Sequence, residues 1–298
     1  MTRRGWLLFI AMCVIWGLPY LFIRIAVDHL SPPTLVFVRT AAASLVLLPI
    51  ALIRREVGAV LARWRPLVVF AVIEIMIPWV LLNHAEQRIT SSLAGLLVAA
   101  VPLFGALAFL LTPHAEKFST TQVGGLVLGF LGVGALVGLD VGSLDLLAIA
   151  EMLVVALCYA TGPIILTRSL SELSGLAVMA CSLALSALVY SPAAIISPPT
   201  DVPGKAWLSV GVLALVCTAV AFVLFAKLIA EVGPTRATII TYVNPAVALS
   251  LGVVVLDEHV TTGMMVGFPL ILAGCIVAAG ARRPVALADD EEPVPAPS

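Results

Sequence analysis

The sequence predicts an all-α polytopic membrane protein with ten transmembrane helices, arranged as two inverted five-helix repeats. The first observation is composition: of 298 residues, 61% are hydrophobic and 11% are charged, against about 45–50% and about 25% in soluble domains. The second is that long apolar segments recur along the whole chain. The third is an internal similarity between the two halves. This composition excludes an ordinary cytosolic enzyme, a disordered chain and a disulfide scaffold, and a net charge of -1 leaves no basic field for nucleic acid.

The apolar segments are predicted to be helices that cross the bilayer. Each is close to the about 20 residues that a transmembrane helix needs and too uniformly apolar for a barrel strand. Helices also satisfy their own backbone hydrogen bonds, which lipid cannot do. The predicted spans are 5–27, 33–53, 66–86, 91–111, 120–139, 144–166, 174–197, 207–230, 234–256 and 261–281.

Neither the N-terminal segment nor the cysteines indicate a cleaved signal peptide, a metal site or a redox site. The apolar run after Arg3 and Arg4 is longer than a signal-peptide core and lacks a cleavage site, so we expect a retained first span. The five cysteines form no C-x-x-C pair and have no histidine at ligand spacing. We therefore expect no metal, no cofactor, and cysteines that pack as small apolar residues.

The basic residues predict the orientation. With the N-terminus inside, twelve of the sixteen Lys and Arg residues lie on the cytoplasmic side, two lie outside, and Arg24 and Arg39 lie within spans. The sequence thus predicts a multi-pass inner-membrane protein with both termini in the cytoplasm. Residues 282–298 are acidic and proline-rich, as is typical of a disordered tail.

An internal repeat divides the chain into 5–139 and 144–281. Five spans is an odd number, so the second half enters the membrane from the opposite side, as in many transporters. Chance similarity between apolar stretches is the alternative. A shift of 143 residues, or 142 after one loop, places Trp16 on Tyr159, Pro102 on Pro245, Glu116 on Glu258, Gly125 on Gly267 and Gly132 on Gly274.

Several motifs together resemble the EamA branch of the drug/metabolite transporter superfamily. They are Trp16-Gly17 with Arg24-Ile25-Ala26, Phe37-Val38-Arg39, the small-residue run from Ser92 to Pro102, and Glu116 with Gln122 and Gly125, repeated more loosely from Gly233 to Gly267. The resemblance covers about residues 5–281, although the second half has Met264 where the first has Gln122. It implies a cytoplasmic-membrane carrier, usually an exporter of amino acids, metabolites or drugs, with a binding site between spans 1, 3 and 4 and their mates 6, 8 and 9.

Glu74 is the sharpest functional candidate. It lies about 12 Å into the third span at about 1.5 Å per residue, near the bilayer centre. An ionisable group at that depth is costly and is by default a functional hypothesis. We therefore predict a role in substrate binding and in proton coupling, with Arg39 as its partner. The alternative is a purely structural ion pair between Glu74 and Arg39.

Other polar and aromatic residues within spans are predicted to bind the substrate. Packing against lipid or between helices is the alternative for the aromatic residues and for Asn244, and simple hydration near the mouth is the alternative for Glu151. Asn83 lies opposite Glu74 on an ideal helix, so both face one path only if the kink at Pro78 rotates the helix end. These candidates are Trp16, Tyr20, Trp79, Asn83, Glu151, Tyr159, Tyr242 and Asn244.

Prolines and glycines complete the prediction. Pro19, Pro78, Pro102, Pro163 and Pro245 lie mid-span, where each removes a backbone donor and favours a kink. Small-residue motifs predict close helix packing, within a monomer or across a homodimer. They are Gly125-x-x-x-Gly129, Gly134-x-x-x-Gly138 and Gly263-x-x-x-Gly267. Histidines 84, 114 and 259 are expected to be solvated.

The function that these patterns favour is secondary transport. We expect a carrier that exports a small organic molecule by alternating access, with proton coupling through Glu74 as a hypothesis. A facilitative uniporter or an importer is the alternative within transport. A polytopic membrane enzyme is a remote alternative, because the sequence contains no cluster of catalytic groups.

Overall fold

The computed structural model describes residues 1–110, 119–139, 145–196 and 198–280, and every regular element in those ranges is helical. Within these described ranges, eight helices are long and apolar enough to cross a membrane, and two shorter apolar helices follow them. The first five are α1 (Arg3–Val27), α2 (Pro32–Ile53), α3 (Trp64–Ala85), α4 (Ser91–Val98 and Val101–Leu110) and α5 (Thr120–Gly138). The remaining five are α6 (Leu146–Ser169), α7 (Gly175–Ile196), α8 (Gly204–Val232), α9 (Ile240–Leu256) and α10 (Thr262–Gly280).

Polar residues in the loops set where the helices begin. The first backbone N–H groups of a helix have no partner within it, and a side-chain oxygen at the N-cap satisfies one of them. Ser119 and Gln122 do so reciprocally as a capping box at the start of α5. The other residues whose side chain caps a helix N-terminus are Thr2, Ser31, Thr90 and Asp145. The helices therefore begin close to the positions that the sequence predicts.

The predicted ninth span, 234–256, is the main difference in bounds. A separate short helix, Pro234–Ala237, precedes α9, which begins only at Ile240. Gly233 ends α8 with φ of 81°, a conformation that side-chain-bearing residues rarely adopt. The predicted tail 282–298 and parts of the predicted loops lie outside the described residues.

Three membrane helices depart from regular α geometry. Residues Val72–Met76 of α3 and Leu215–Val220 of α8 form π-turns, and α4 is interrupted between Val98 and Val101. Of the five prolines expected to kink their spans, only Pro78 and Pro102 adjoin such a departure. Helices α1, α6 and α9 stay continuous at Pro19, Pro163 and Pro245.

Contacts between loops define two ends of the bundle. At one end, which we call the Arg88 face, Arg88 pairs with Asp145, and Glu258 accepts hydrogen bonds from Ser91 and Ser92. At the other end, which we call the Thr2 face, Thr2 donates to Glu231, and Arg63 pairs with Glu172. The start of α1 and the loop between α2 and α3 therefore share one face, and the ends of α1 and α3 share the other.

Glycines bring α5 and α10 into backbone contact. A Cβ added at Gly274 would lie 2.3 Å from the Gly129 nitrogen, and one added at Gly132 would lie 2.6 Å from the Ile271 nitrogen. The Gly125-x-x-x-Gly129 motif is therefore a packing motif, as the sequence predicts. The same prediction is wrong for packing of Gly134-x-x-x-Gly138 within the chain, because a Cβ at either position meets open space.

We predict that Gly274→Ala destabilises the protein by about 1–3 kcal/mol, because the methyl group must displace the α5 backbone. Gly134→Ala is the matched control on the facing helix, where the higher helix propensity of alanine should leave stability equal or slightly raised. Thermal unfolding of the two purified variants in detergent measures the difference. Equal melting temperatures would refute the tight α5–α10 contact.

Candidate functional site

Arg39 of α2 is a buried cation held by two other helices. Its Nε donates to Thr218 Oγ1 on α8 at 3.1 Å, and its guanidinium carbon lies 3.6 Å from the ring centroid of Trp79 on α3. A guanidinium over an indole face gains a cation–π attraction that is larger when both groups are desolvated. Arg39 is only 6% exposed, so these contacts fix its position between α3 and α8.

Each of the two π-turns carries one polar side chain of the site. Thr218 lies in the α8 π-turn and donates its own hydroxyl to the Leu213 carbonyl at 2.8 Å, which leaves its oxygen free to accept from Arg39. Glu74 lies in the α3 π-turn. Backbone departures of this kind inside membrane helices often mark functional positions.

Glu74 is packed against α6 without a hydrogen bond to its buried oxygen. Glu74 Oε2 is buried and has no partner. A Cβ added at Gly162 would lie 1.8 Å from that oxygen, so α6 accommodates the carboxyl group only because residue 162 is glycine. Among the described residues no ion pair joins Glu74 to Arg39. Arg39 is therefore not the partner of Glu74 in this structure, either for the predicted coupling role or for the structural ion pair offered as its alternative. A coupling role for Glu74 itself stays a prediction.

Two tyrosines complete a cluster at the centre of the bundle. Tyr20 of α1 and Tyr159 of α6 both interact electrostatically with Arg39, and Tyr159 lies next to Trp79. We call these six residues the central cluster: Tyr20, Arg39, Glu74, Trp79, Tyr159 and Thr218. Five of them are sequence-predicted, whereas Thr218 was missed. Its signal was a hydroxyl near the middle of the apolar eighth span, where Ser209 near the start of the span is the other one.

The other predicted binding residues on α1 and α3, Trp16 and Asn83, contact neighbouring helices. The Trp16 ring contacts Phe222 and Phe225 on α8, with centroids 6.1 and 4.7 Å away. Asn83 is buried, and its Nδ2 donates to the Pro32 carbonyl of α2 at 3.3 Å. Glu74 meets Gly162 on α6 whereas Asn83 donates to α2, so the two side chains contact different helices.

On α9, Asn244 is interhelical, as the alternative interpretation expected. Its amide nitrogen, in the orientation that satisfies both groups, donates to the carbonyls of Cys13 at 3.1 Å and Ile240 at 3.0 Å. Tyr242 is half-buried and packs against the largest apolar core. A binding role for either residue stays a prediction.

Glu151 belongs to an ion-pair network on the Arg88 face. Its carboxylate pairs with Arg88 and lies 2.7 Å from His84 Nδ1, and Arg88 also contacts Asp145 at 3.4 Å. His84 is solvated as expected, with 45% of its side chain exposed, and its ring also contacts Glu151. Hydrogen bonds from the backbone of Ala148, with Arg88 nearby, hold the pKa of Asp145 below its usual range. The network joins the end of α3 to the start of α6.

A charged cavity opens beside this network. It has a volume of about 400 Å³, and Arg24, Asp28, His29, Lys205 and Glu258 contribute its charged lining. Arg24 pairs with Asp28 at 2.6 Å, one turn further along its helix. Glu258 accepts from the backbone N–H groups of Ser91 and Ser92 at 2.8 and 2.9 Å, which places its charge at the N-terminus of α4.

Comparison with known sequences and structures agrees with this architecture. The EamA-like transporter family matches the chain twice, over residues 3–138 and 146–280. The chain belongs to the EamA-like transporter family. A protein described as an uncharacterized inner membrane transporter, YedA of Escherichia coli K12, is 31% identical over 255 residues, which are 81% of this chain and 79% of YedA. The same relative from Escherichia coli O157:H7 matches equally.

A solved structure supports the fold alone. One crystal structure covers 93% of this chain and 97% of its own, with a TM-score of 0.65 and 19% identity. The protein is accordingly a multi-pass inner-membrane transporter of the EamA and drug/metabolite transporter group. Its relatives are named as transporters, which argues against an enzyme.

We predict that Arg88→Met lowers the free energy of unfolding by about 2 kcal/mol, because it leaves the buried Glu151 carboxylate with a weaker set of partners. Arg63→Met is the matched control, since its ion pair with Glu172 is exposed and such pairs contribute about 0–1 kcal/mol. Denaturant or thermal unfolding in detergent compares them. A smaller loss for Arg88→Met than for Arg63→Met would contradict the network.

Proposed function

We propose that this protein is a secondary transporter that exports a small organic molecule by alternating access, with proton coupling through Glu74. The observation that carries the proposal is the central cluster. It gathers a buried cation, an unpartnered carboxyl oxygen, an indole and two phenols from four helices, and it adds a hydroxyl from a fifth. Ionisable groups inside a membrane are costly and mark substrate or ion pathways.

The cluster suits a partly apolar solute with one or two polar groups. Trp79 and Tyr159 offer flat apolar surface with polar edges, and Tyr20 adds a hydroxyl. Arg39 offers guanidinium N–H groups, of which only Nε is donated to Thr218. A carboxylate or carbonyl on the solute fits these donors. Gain or loss of a proton at Glu74 would change the net charge of the cluster by one.

Two inverted repeats would let the central cluster open to either side of the membrane in turn. Several observations support such repeats. The π-turn of α3 begins at Val72 and that of α8 begins at Leu215, which is 143 residues later. The same family matches each half separately. The contacts of α5 with α10 are also reciprocal: Gly125 meets Gly274, and their repeat mates Gly267 and Gly132 meet each other. Reciprocal contact of this kind is typical of a two-fold relation.

Alternating access then needs helices that bend near the site. The π-turns of α3 and α8 contain Glu74 and Thr218 respectively. The backbone hydrogen bonds of a π-turn are weaker than those of a regular α-helix. We infer that these turns are where the two halves rock around the cluster.

The orientation is tested by cysteine labelling in a variant whose five buried native cysteines are replaced. With both termini cytoplasmic, cysteines at Gln87 and Lys205 on the Arg88 face should react with an impermeant maleimide in intact spheroplasts. Cysteines at Arg54 and Glu172 should react only after permeabilisation. All four positions are exposed. The reverse pattern would invert the orientation, and labelling that does not separate by face would refute the topology.

Transport is tested with a ligand found by thermal shift among amino acids, nucleobases and cationic drugs, because a specific ligand stabilises the state that it binds. We expect proteoliposomes to exchange the compound, and an opposing pH gradient to accelerate its movement. Glu74→Gln should keep exchange between labelled and unlabelled compound and lose the acceleration by the gradient. Glu172→Gln, an exposed carboxyl on the Thr2 face, is the control and should keep both.

Each outcome selects a mechanism. Undiminished gradient stimulation in Glu74→Gln removes the coupling role. Exchange with no gradient effect in the wild-type protein favours the facilitative uniporter. Accumulation on the cytoplasmic side favours an importer. A lipid-processing activity in purified protein would revive the enzyme alternative.

A further inference from the structure

Glu86 is a buried carboxyl group that the central cluster does not contain. It follows the last residue of α3, has no exposed surface, and neither of its oxygens has a hydrogen-bond partner. A buried polar group is normally hydrogen-bonded, and an isolated buried charge is far more costly than a neutral one. Glu86 therefore requires either a bound cation or its own proton.

Charged groups from two other helices and from the loop after α9 act on this carboxyl. Arg24 of α1, Arg39 of α2 and Glu258 beyond α9 act on it electrostatically, and so does Tyr20 of α1. None of them donates to it. Asp28 neutralises Arg24, Thr218 and Trp79 hold Arg39, and the N-terminus of α4 holds Glu258. Near it in sequence, Arg88 pairs with Glu151 of α6, and the His84 ring contacts the same carboxylate.

The position of Glu86 links two features of the molecule. Arg24 and Glu258 line the cavity of about 400 Å³ on the Arg88 face. Arg39 belongs to the central cluster. Glu86 itself follows α3 at that face, and its electrostatic partners belong both to the cavity lining and to the central cluster. We propose that Glu86 is a proton-binding site, filled from the cavity on the Arg88 face and distinct from Glu74.

A proton fits this site better than a metal ion. Two arginines lie near Glu86, and a second carboxylate, Glu258, is already satisfied by Ser91 and Ser92. A metal cation would face both guanidinium groups, whereas a proton removes the unpaired charge without needing further ligands. When the proton leaves, the new carboxylate attracts Arg24 and Arg39 and repels Glu258. Protonation therefore alters the forces between α1, α2, α3 and the loop after α9 on one face.

The test is the pH dependence of thermal unfolding of the full chain in detergent, and it requires no substrate. A carboxyl that keeps its proton only when folded makes the folded protein bind more protons than the unfolded chain, so stability falls as pH rises above about 5. For Glu86→Gln the fall between pH 5 and pH 8 should be shallower than in the wild type by on the order of 3 °C per pH unit. Glu172→Gln, an exposed carboxyl, should keep the wild-type slope.

Two further measurements keep the proposal falsifiable. Glu86→Met, which has similar length and no charge, should be at least as stable as the wild type at pH 8. If either variant fails to fold, infrared difference spectra of the wild type between pH 5 and pH 9 should show a neutral carboxylic acid that persists in Glu74→Gln. A wild-type slope in Glu86→Gln, or loss of the whole acid band in Glu74→Gln, would overturn the proposal without affecting the role proposed for Glu74.

Discussion

The hydrocarbon core of a bilayer offers no hydrogen bonds to a backbone, and that constraint organises this protein. Regular helices satisfy their own N–H and C=O groups, so irregular backbone is tolerated only where it faces protein or water. The irregular segments here are the π-turns of α3 and α8 and the break in α4. The α8 π-turn holds Thr218 against Arg39, and the α3 π-turn holds Glu74 against α6. The irregular backbone of the α8 π-turn and the Arg39 guanidinium therefore lie together in the protein interior, away from lipid.

The ionisable groups of this transporter fall into two classes: those that are ion-paired and those that are buried without a pairing partner. On the Arg88 face, Glu151 has two partners and joins α3 to α6. In the centre, Arg39 is held by a hydroxyl and an indole, neither of which cancels its charge. Glu74 and Glu86 have buried oxygens without partners. A paired group is a structural contact, whereas an unpaired buried group can respond when a proton or a solute arrives.

Sequence reasoning found the helices and most of the central cluster, for physical reasons that also explain its errors. Glu74 and Arg39 were visible because any charge in an apolar span is conspicuous. Their partners were not, because pairing depends on helix rotation, and a single π-turn moves later residues by roughly 100°. Glu86 escaped notice because it sits at a span end, where a carboxyl is ordinarily hydrated. Only the packing of α1, α2 and the Glu258 loop around it makes that position dry.

Glu258 shows why a motif residue need not be a site residue. It belongs to the pattern by which the sequence resembles its family, and a carboxylate in such a pattern invites a catalytic or binding role. In the structure it receives the backbone N–H groups of Ser91 and Ser92, where a helix N-terminus favours negative charge. A Cβ at Gly252 would lie 2.4 Å from its carboxylate, so α9 leaves room for it. The motif glutamate thus anchors the start of α4 to the loop after α9.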